Sequence, residues 1–418
     1  MRILFVHQNF PGQFPHLAPA LSARGHDVTA LTVAGNKRAS PVPVVYYSYQ
    51  KPSFERSLSR HVGNFADRAE RGAAVAAAAE KLRAKGYLPD VVLGHFGWGE
   101  TLYLKNVWPT TKLALYAEFF YHPRGLDADF DPDIQHPSLA GNIVTTTLQA
   151  PLLLAMHSAD AAIAPTRWQA QTFPAHFQDR ITVIHDGIDS ERLRPDPAAQ
   201  ITVGSHIFRP GDEVLTFVSR NLEPYRGFHI FMRALPEVLS ARRQAHVIIV
   251  GGQEAGYGPL HASRKSWKQI FFEETKDRLD LDRVHFVGTI PYATFINLMR
   301  VTRAHAYLTY PFVLSWSMLE AMSAGALVVG SATPPVAEII RPGVNGLLVD
   351  FFDTEAWSAT LTEALAEPAK FEPLRRAGRQ TIVAGYDLKS QCLPRMIAFV
   401  EGLAGSAPPA THGLERPG

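Results

Sequence analysis

Short, nearly continuous apolar runs rich in Val, Ile and Leu recur along the chain, each bounded by turn residues, with longer helix-patterned segments between them. In the amino-terminal half the runs are RILFVHQ, DVTALTV, VPVVYYS, DVVLGHF, KLALYAEF and DAAIAP. The helical segments between them are FPHLAPALSARG, the alanine-rich AERGAAVAAAAEKLRAKG and TRWQAQTFPAHF. The carboxy-terminal half repeats the theme with EVLTFVS, AHVIIVGG, RVHFVGT, AHAYLTY, ALVVGS and NGLLVD. Runs that do not alternate apolar with polar are covered on both faces, as in parallel sheets flanked by helices. Two such series, joined near VIHDGIDSERLRPD, predict an α/β protein of two facing doubly wound, Rossmann-like domains over residues 1–185 and 186–385. DLKSQCLPRMIAFVEGL predicts a last helix over 386–404, with Pro394 kinking it or lying near its start. The Gly-, Ala- and Pro-rich remainder, 405–418, predicts disorder.

Composition narrows the class. A length of 418 residues exceeds one ordinary domain, and 46% hydrophobic against 19% charged residues is the balance of a core-forming protein. A net charge of +2 sets up no field for nucleic acid. The single Cys392 excludes an internal disulfide and fits a reducing compartment. MRILFVHQNF is too short an apolar run for a signal peptide and reads as a first strand. No run of about 18 apolar residues is visible, so the expectation is a cytoplasmic chain that meets a membrane peripherally if at all.

In parallel sheets, ligands bind beyond the carboxyl ends of strands, where loops enter helices. Three loops there carry candidate chemistry. In HQNFPGQF, Gly12 permits close backbone approach to a ligand, or simply completes a tight turn after Pro11. In SRNLEPYRGF, Arg220 and Arg226 flank a helix start, where fork-shaped donors and the helix dipole act on one phosphate; alternatively Arg220 pairs with Glu223 at the surface. In YPFVLSWSMLEAMSAGALVVGS, Glu320 is the one charged residue and is expected in the first turn of a short helix. As part of Ser-x-x-Glu it could cap that helix by bonding the Ser317 N–H. As a carboxylate at a strand's carboxyl edge it could accept the two hydroxyls of a ribose. Local sequence does not separate the two.

A competing signal is LDADFDPD, with Asp127, Asp129, Asp131 and Asp133. Asp-x-Asp can hold a divalent cation, but the Gly and distal Glu of a calcium loop are missing, and the favoured reading is a solvated loop with no metal.

Taken together, the three loops resemble the retaining glycosyltransferases of family 4, of GT-B architecture. SRNLEPYRGF is similar to the family's phosphate loop, with Arg226 where a Lys is usual, and VIHDGID to its interdomain segment, with Asp186 in place of Asn. LEAMSAGALVVGS is the most specific match, and there the resemblance places Glu320 on the nucleotide ribose. FVGTIPYATF, with Gly288 and Ile290, resembles the base-contacting segment. His95 in VVLGHF matches the family histidine near the donor sugar, and Glu118 in YAEFFY, at the next strand end, is expected to meet the acceptor or to serve an ion pair.

The chain departs from the pattern at Phe312, where the family's first motif glutamate would fall. It departs again at Val313 and Ser315 in place of glycines, and at Pro334 and Pro335 in place of a Gly pair. Those changes bear on the donor-sugar contacts, to which Phe312 and Ser315 are assigned. The resemblance implies a nucleotide-sugar donor of UDP or GDP type lying between the domains, and a glycan, lipid-linked or protein acceptor. It also implies no cofactor or metal, arginines on the diphosphate, front-face attack with retention, and domain closure. A sugar-nucleotide epimerase and a non-catalytic nucleotide-sugar binding subunit are the alternatives.

Overall fold

The computed structural model describes residues 1–51, 62–254, 256–258 and 261–405. The chain divides into two compact units. The first takes in Met1–Pro123, Pro137–Asp186 and the stretch from Cys392; the second takes in Gly187–Gln391 together with Arg124–His136. The break after Asp186 lies beside the expected one. The departure is Arg124–His136, which leaves the first unit's sequence to pack in the second. The tail expected to be disordered, from 406 on, lies outside the described residues.

The first unit is a seven-stranded parallel sheet built from β1 (Arg2–Val6), β2 (Asp27–Val33), β3 (Val44–Tyr47), β4 (Val91–His95), β5 (Lys112–Tyr116), β6 (Ala161–Ala164) and β7 (Ile181–Val183). Their spatial order is β3-β2-β1-β4-β5-β6-β7. β4 is buried at all five positions and β5 likewise, which is why neither shows polar alternation. Strand order reverses between β1 and β4, whose pairing runs from Ile3–Val91 to Val6–Gly94. That reversal opens a crevice at the carboxyl edge, flanked by the loops that follow His7 and His95.

Helix Gly63–Ala84 covers one face, the alanines at its centre matching the alanine-rich prediction. TRWQAQTFPAHF forms two short helices, Arg167–Gln171 and Ala175–Gln178, interrupted at Pro174. A helix not expected from the sequence, Leu139–Ser158, has no Asp, Glu, Lys or Arg, and is long and apolar enough by length and composition to cross a membrane. The threonines at 145–147 hide that apolar character in the sequence. Its Pro151, Leu152, Ala155 and Met156 are buried in this unit's core. The last helix, Leu393–Gly405, continues directly from a π-helical turn, Leu388–Cys392, with Pro394 near its start, and buries Met396 and Val400 against Ile3, Leu17 and Leu21 of this unit.

The second unit begins with a small hairpin, β8 (Ile201–Val203) and β9 (His206–Phe208), absent from the prediction. Its main sheet is parallel, with β10 (Val214–Asn221), β11 (His246–Gly252), β12 (Val284–Gly288), β13 (Ala304–Tyr307), β14 (Leu327–Ser331) and β15 (Leu347–Val349) in the order β12-β11-β10-β13-β14-β15. The reversal here falls between β10 and β13. Helix Phe228–Ala241 buries Phe228, Phe231, Leu235, Val238 and Leu239. At about 1.5–3 kcal/mol for each fully buried large apolar side chain, this helix is a principal anchor of the sheet. Gly227 initiates it at φ +64°, and a Cβ there would stand 2.3 Å from the Leu308 Cβ, so only glycine fits.

Candidate active site

At the carboxyl edge of the first sheet, three strand ends bring His7, His95 and Glu118 together. His95 Nδ1 accepts from the Gly97 N–H at 3.1 Å, which leaves the Nε2 proton to be donated to Glu118 Oε2 at 3.3 Å. Gln13 Nε2 donates to the other Glu118 oxygen at 3.4 Å. Burial alone would raise Glu118, but the bonds from His95 and Gln13 outweigh it and hold the carboxyl below its ordinary range. His7 stands edge-on to His95, with ring centroids 5.6 Å apart, and its Nδ1 accepts the Asn9 N–H at 2.9 Å. Burial and the neighbouring His95 drop its pKa to about 3, so the His7 ring is neutral at physiological pH.

Gly12 has φ +52°, and a Cβ on it would fall 2.6 Å from the His7 Nε2. The fold therefore demands glycine there whatever the loop binds. Sequence reasoning passed over His7, although it occupies the same position after β1 that His95 occupies at the end of β4. Glu100, within the GHFGWGETLYL stretch, was passed over too. It is fully buried, accepts the Tyr47 hydroxyl at 2.6 Å, and is raised by burial.

The second unit's site is built on the loops after β10, β12 and β13. Arg220 is exposed at the end of β10. Glu223 does not pair with it at the surface: Glu223 is buried and accepts the N–H groups of Tyr257 at 2.8 Å and Gly258 at 3.2 Å. Arg226, which the sequence pairs with Arg220 at a phosphate site, is buried and bonded to protein groups. It is 7% exposed, and its Nη1 donates to Thr309 Oγ1 and to the Val313 carbonyl, both at 2.8 Å. The guanidinium lies 5.3 Å from the Tyr257 ring centroid and 5.8 Å from that of Phe312. Phe312 is itself buried, with Tyr257 at 4.8 Å and Tyr225 at 5.4 Å. Where the family pattern would put a carboxylate, this chain builds an aromatic wall around a buried cation.

Glu320 lies in helix Trp316–Ala324, one residue beyond its first turn. The capping reading is overturned. Ser315 is the N-cap and accepts the Ser317 N–H at 3.4 Å, while its own N–H donates to the Tyr307 hydroxyl at 2.8 Å. Glu320, 8% exposed, instead accepts the Tyr292 hydroxyl on Oε1 at 2.6 Å. Burial raises its pKa to about 6, partly countered by that bond. Gly288 ends β12 at φ +66° with open space beside it, and Ile290, two residues before Tyr292, packs against this unit's core.

The aspartate stretch is not a solvated loop. Asp131 is fully buried, lies 3.0 Å from His229 Nε2 and accepts the Tyr310 hydroxyl at 2.6 Å. Asp127 accepts the Tyr225 hydroxyl at 3.1 Å. The His229 ring close by and the bond from the Tyr310 hydroxyl overcome the cost of burial and lower Asp131. Phe130 sits 5.1 Å from Tyr310, Phe351 and Phe352. The segment thus braces Tyr225 and Tyr310, which adjoin Arg226 and the Phe312 loop. Among the described residues no group of three or more His, Cys, Asp or Glu is placed to hold a metal ion.

Comparison with known proteins accords with this architecture. Residues 24–193 match the family model described as glycosyl transferase family 4 group, and residues 204–381 match glycosyl transferases group 1, so the two models span most of the chain. A D-inositol 3-phosphate glycosyltransferase of Mycobacterium ulcerans is 29% identical over 231 residues, 54% of this chain and 42% of that protein. The enzyme of the same name from Segniliparus rotundus is 25% identical over 225 residues, 52% of this chain and 47% of that one. The matched region therefore spans less than half the length of these relatives.

Among solved structures, sucrose-phosphate synthase from Thermosynechococcus elongatus superposes with TM-score 0.71 at 16% identity, covering 97% of this chain and 100% of that one. The Anabaena protein HepE, solved with UDP and glucose, gives 0.65 at 18% identity over the same shares. At such identities these are likenesses of fold. From the two family matches and the shared fold, the chain belongs to the family 4 glycosyltransferases, with the two parallel-sheet α/β units of the GT-B architecture.

Proposed function

We propose that this chain transfers a glycosyl group from a nucleoside diphosphate sugar to an acceptor hydroxyl, with retention at the anomeric carbon and without a metal ion. The observation that carries the reading is Glu320. It is a buried carboxylate at the carboxyl edge of the second sheet, with one hydrogen-bond partner on its side chain among the described residues and bonding capacity left for a vicinal diol. The carboxylate takes the ribose. Arg220, exposed at the end of β10, reaches the diphosphate, and the fixed charge of Arg226 stands behind it. The bond from the anomeric carbon to the phosphate oxygen breaks as the bond to the acceptor oxygen forms on the same face. The departing phosphate oxygen takes the acceptor proton. His95 and Glu118 are assigned to sugar and acceptor hydroxyls: the remaining lone pairs of the Glu118 carboxylate accept them, and the His95 Nε2–H can be shared between Glu118 and a hydroxyl oxygen.

HepE was solved with UDP and glucose, and several relatives are named for an inositol phosphate acceptor, so UDP sugars and phosphorylated polyols head the trial. The test is a panel of UDP and GDP sugars, incubated with and without acceptor, with release of nucleoside diphosphate as the readout. Acceptor-dependent release that survives a chelator is expected. No release with any donor, together with no thermal shift from UDP or GDP, would overturn the reading. Ligand at a hundred times its Kd stabilises by about 2.7 kcal/mol, which a melting curve resolves.

A further inference from the structure

We infer that Tyr292 is a positioning residue for nucleotide recognition: its hydroxyl holds one oxygen of Glu320 so that the remaining acceptor sites meet the ribose diol. This rests on the donor reading of Glu320 above. Tyr292 opens helix Tyr292–Val301, directly after the loop that follows β12, while Glu320 lies on the helix between β13 and β14. The two side chains converge from different loops of one sheet edge, and their bond of 2.6 Å has the length of a charge-assisted O–H···O⁻ bond.

The ring is held from two sides. It stacks on Phe295 with centroids 5.8 Å apart and planes 18° from parallel, and the Arg192 guanidinium lies 4.9 Å from its centroid. Tyr292 is 44% exposed, whereas Glu320 is 8% exposed. Tyr292 thus lies at the rim of the core, its ring flanked by Phe295 and Arg192 and its hydroxyl turned in to a buried acid. Its placement makes sense as a fixed donor to that acid.

A carboxylate offers about four acceptor positions. Tyr292 takes one on Oε1, and Oε2 bonds no protein atom among the described residues. Two neighbouring hydroxyls can then bond across the carboxylate, whose plane is already set. The phenol also favours the ionised acid against burial, since its bond acts to lower the Glu320 pKa.

The test is Tyr292→Phe, which keeps the ring, its stacking on Phe295 and its contact with Arg192. Dissociation constants are measured for UDP, for GDP and for their 2′,3′-dideoxy forms, in wild type and variant. We expect the preference for ribose over dideoxyribose to fall about tenfold in the variant, the scale of one hydrogen bond to a charged group. In a Glu320→Gln background the same Tyr292→Phe change should leave that preference unaltered.

If both sugar forms weaken alike, Tyr292 acts only on the fold and the inference is overturned. Tighter nucleotide binding by Tyr292→Phe would overturn it too, by showing that the hydroxyl blocks the site. Wild-type protein that binds none of the four ligands would instead sink the donor reading, and this inference with it.

Discussion

Two carboxylates at two sheet edges, Glu118 partly buried and Glu320 buried, have opposite electrostatics. Glu118, in the first unit, is met by His95 on one oxygen and Gln13 on the other, and these bonds hold it below the ordinary carboxylate range. Glu320, in the second unit, has the Tyr292 hydroxyl on one oxygen, and burial leaves it raised to about 6. The protein itself satisfies Glu118. It leaves Glu320 short of partners, and a buried acid with spare acceptor capacity is a place where a polyhydroxylated ligand lowers the free energy. The same distinction separates the two arginines. Arg226 is spent on Thr309 and Val313, whereas Arg220 is exposed.

The arginine contrast carries the largest expected effect. Arg226→Ala deletes two charge-assisted hydrogen bonds from a buried site and unties the 309–313 segment. It should cost roughly 3–5 kcal/mol of stability and abolish transfer. Arg220→Ala should leave the denaturation midpoint where it was. Chemical unfolding of the two variants decides this, and equal midpoints would erase the distinction between spent and available groups.

A smaller effect separates the carboxylates by pH. The folded-state pKa of Glu320 is raised from 4.5 to about 6, so its contribution to stability is fully present below 4.5 and is lost as pH rises through 6. The loss amounts to roughly 2 kcal/mol. Glu118 is lowered, so its contribution is present above the ordinary carboxylate range and is lost as pH falls through its depressed pKa. In stability–pH curves, Glu320→Gln should therefore remove a decline between pH 4.5 and 6, and Glu118→Gln should remove a decline on the acid side. Curves altered in the same direction would contradict the comparison.

Much of this was legible in the sequence, for a physical reason. Strands buried on both faces must be apolar throughout, so the runs at Val91–His95 and Val247–Val250 announce themselves. Elements without that constraint did not. The β8–β9 hairpin is three residues a side, and helix Leu139–Ser158 carries threonines that disfavour helix intrinsically.

The aspartates at 127 and 131 read as solvated because alternating acids usually are. Their partners Tyr225, His229 and Tyr310 lie about a hundred residues or more along the chain, and no local pattern reveals them. Glu320 was legible as a candidate but not as an outcome. Ser-x-x-Glu at Ser317 fits a capping box, and only the fold shows Ser315 in the capping place and Tyr292 on the acid. Arg226 was found by its position, yet its burial beneath Tyr257 and Phe312 depends on loops distant in sequence.

The most direct test is calorimetric titration of wild type and Glu320→Gln with UDP and GDP, with melting temperatures recorded alongside. Gln has nearly the shape of Glu and still accepts the Tyr292 hydroxyl on its carbonyl oxygen, so the fold should tolerate it at neutral pH. Its NH₂ end cannot accept a ribose hydroxyl, and the charge assistance is gone. The account predicts binding weaker by about 1–2 kcal/mol, five- to thirtyfold in Kd, with the melting temperature close to wild type or above it. Equal nucleotide affinity in the two proteins would contradict the claim that Glu320 grips the ribose.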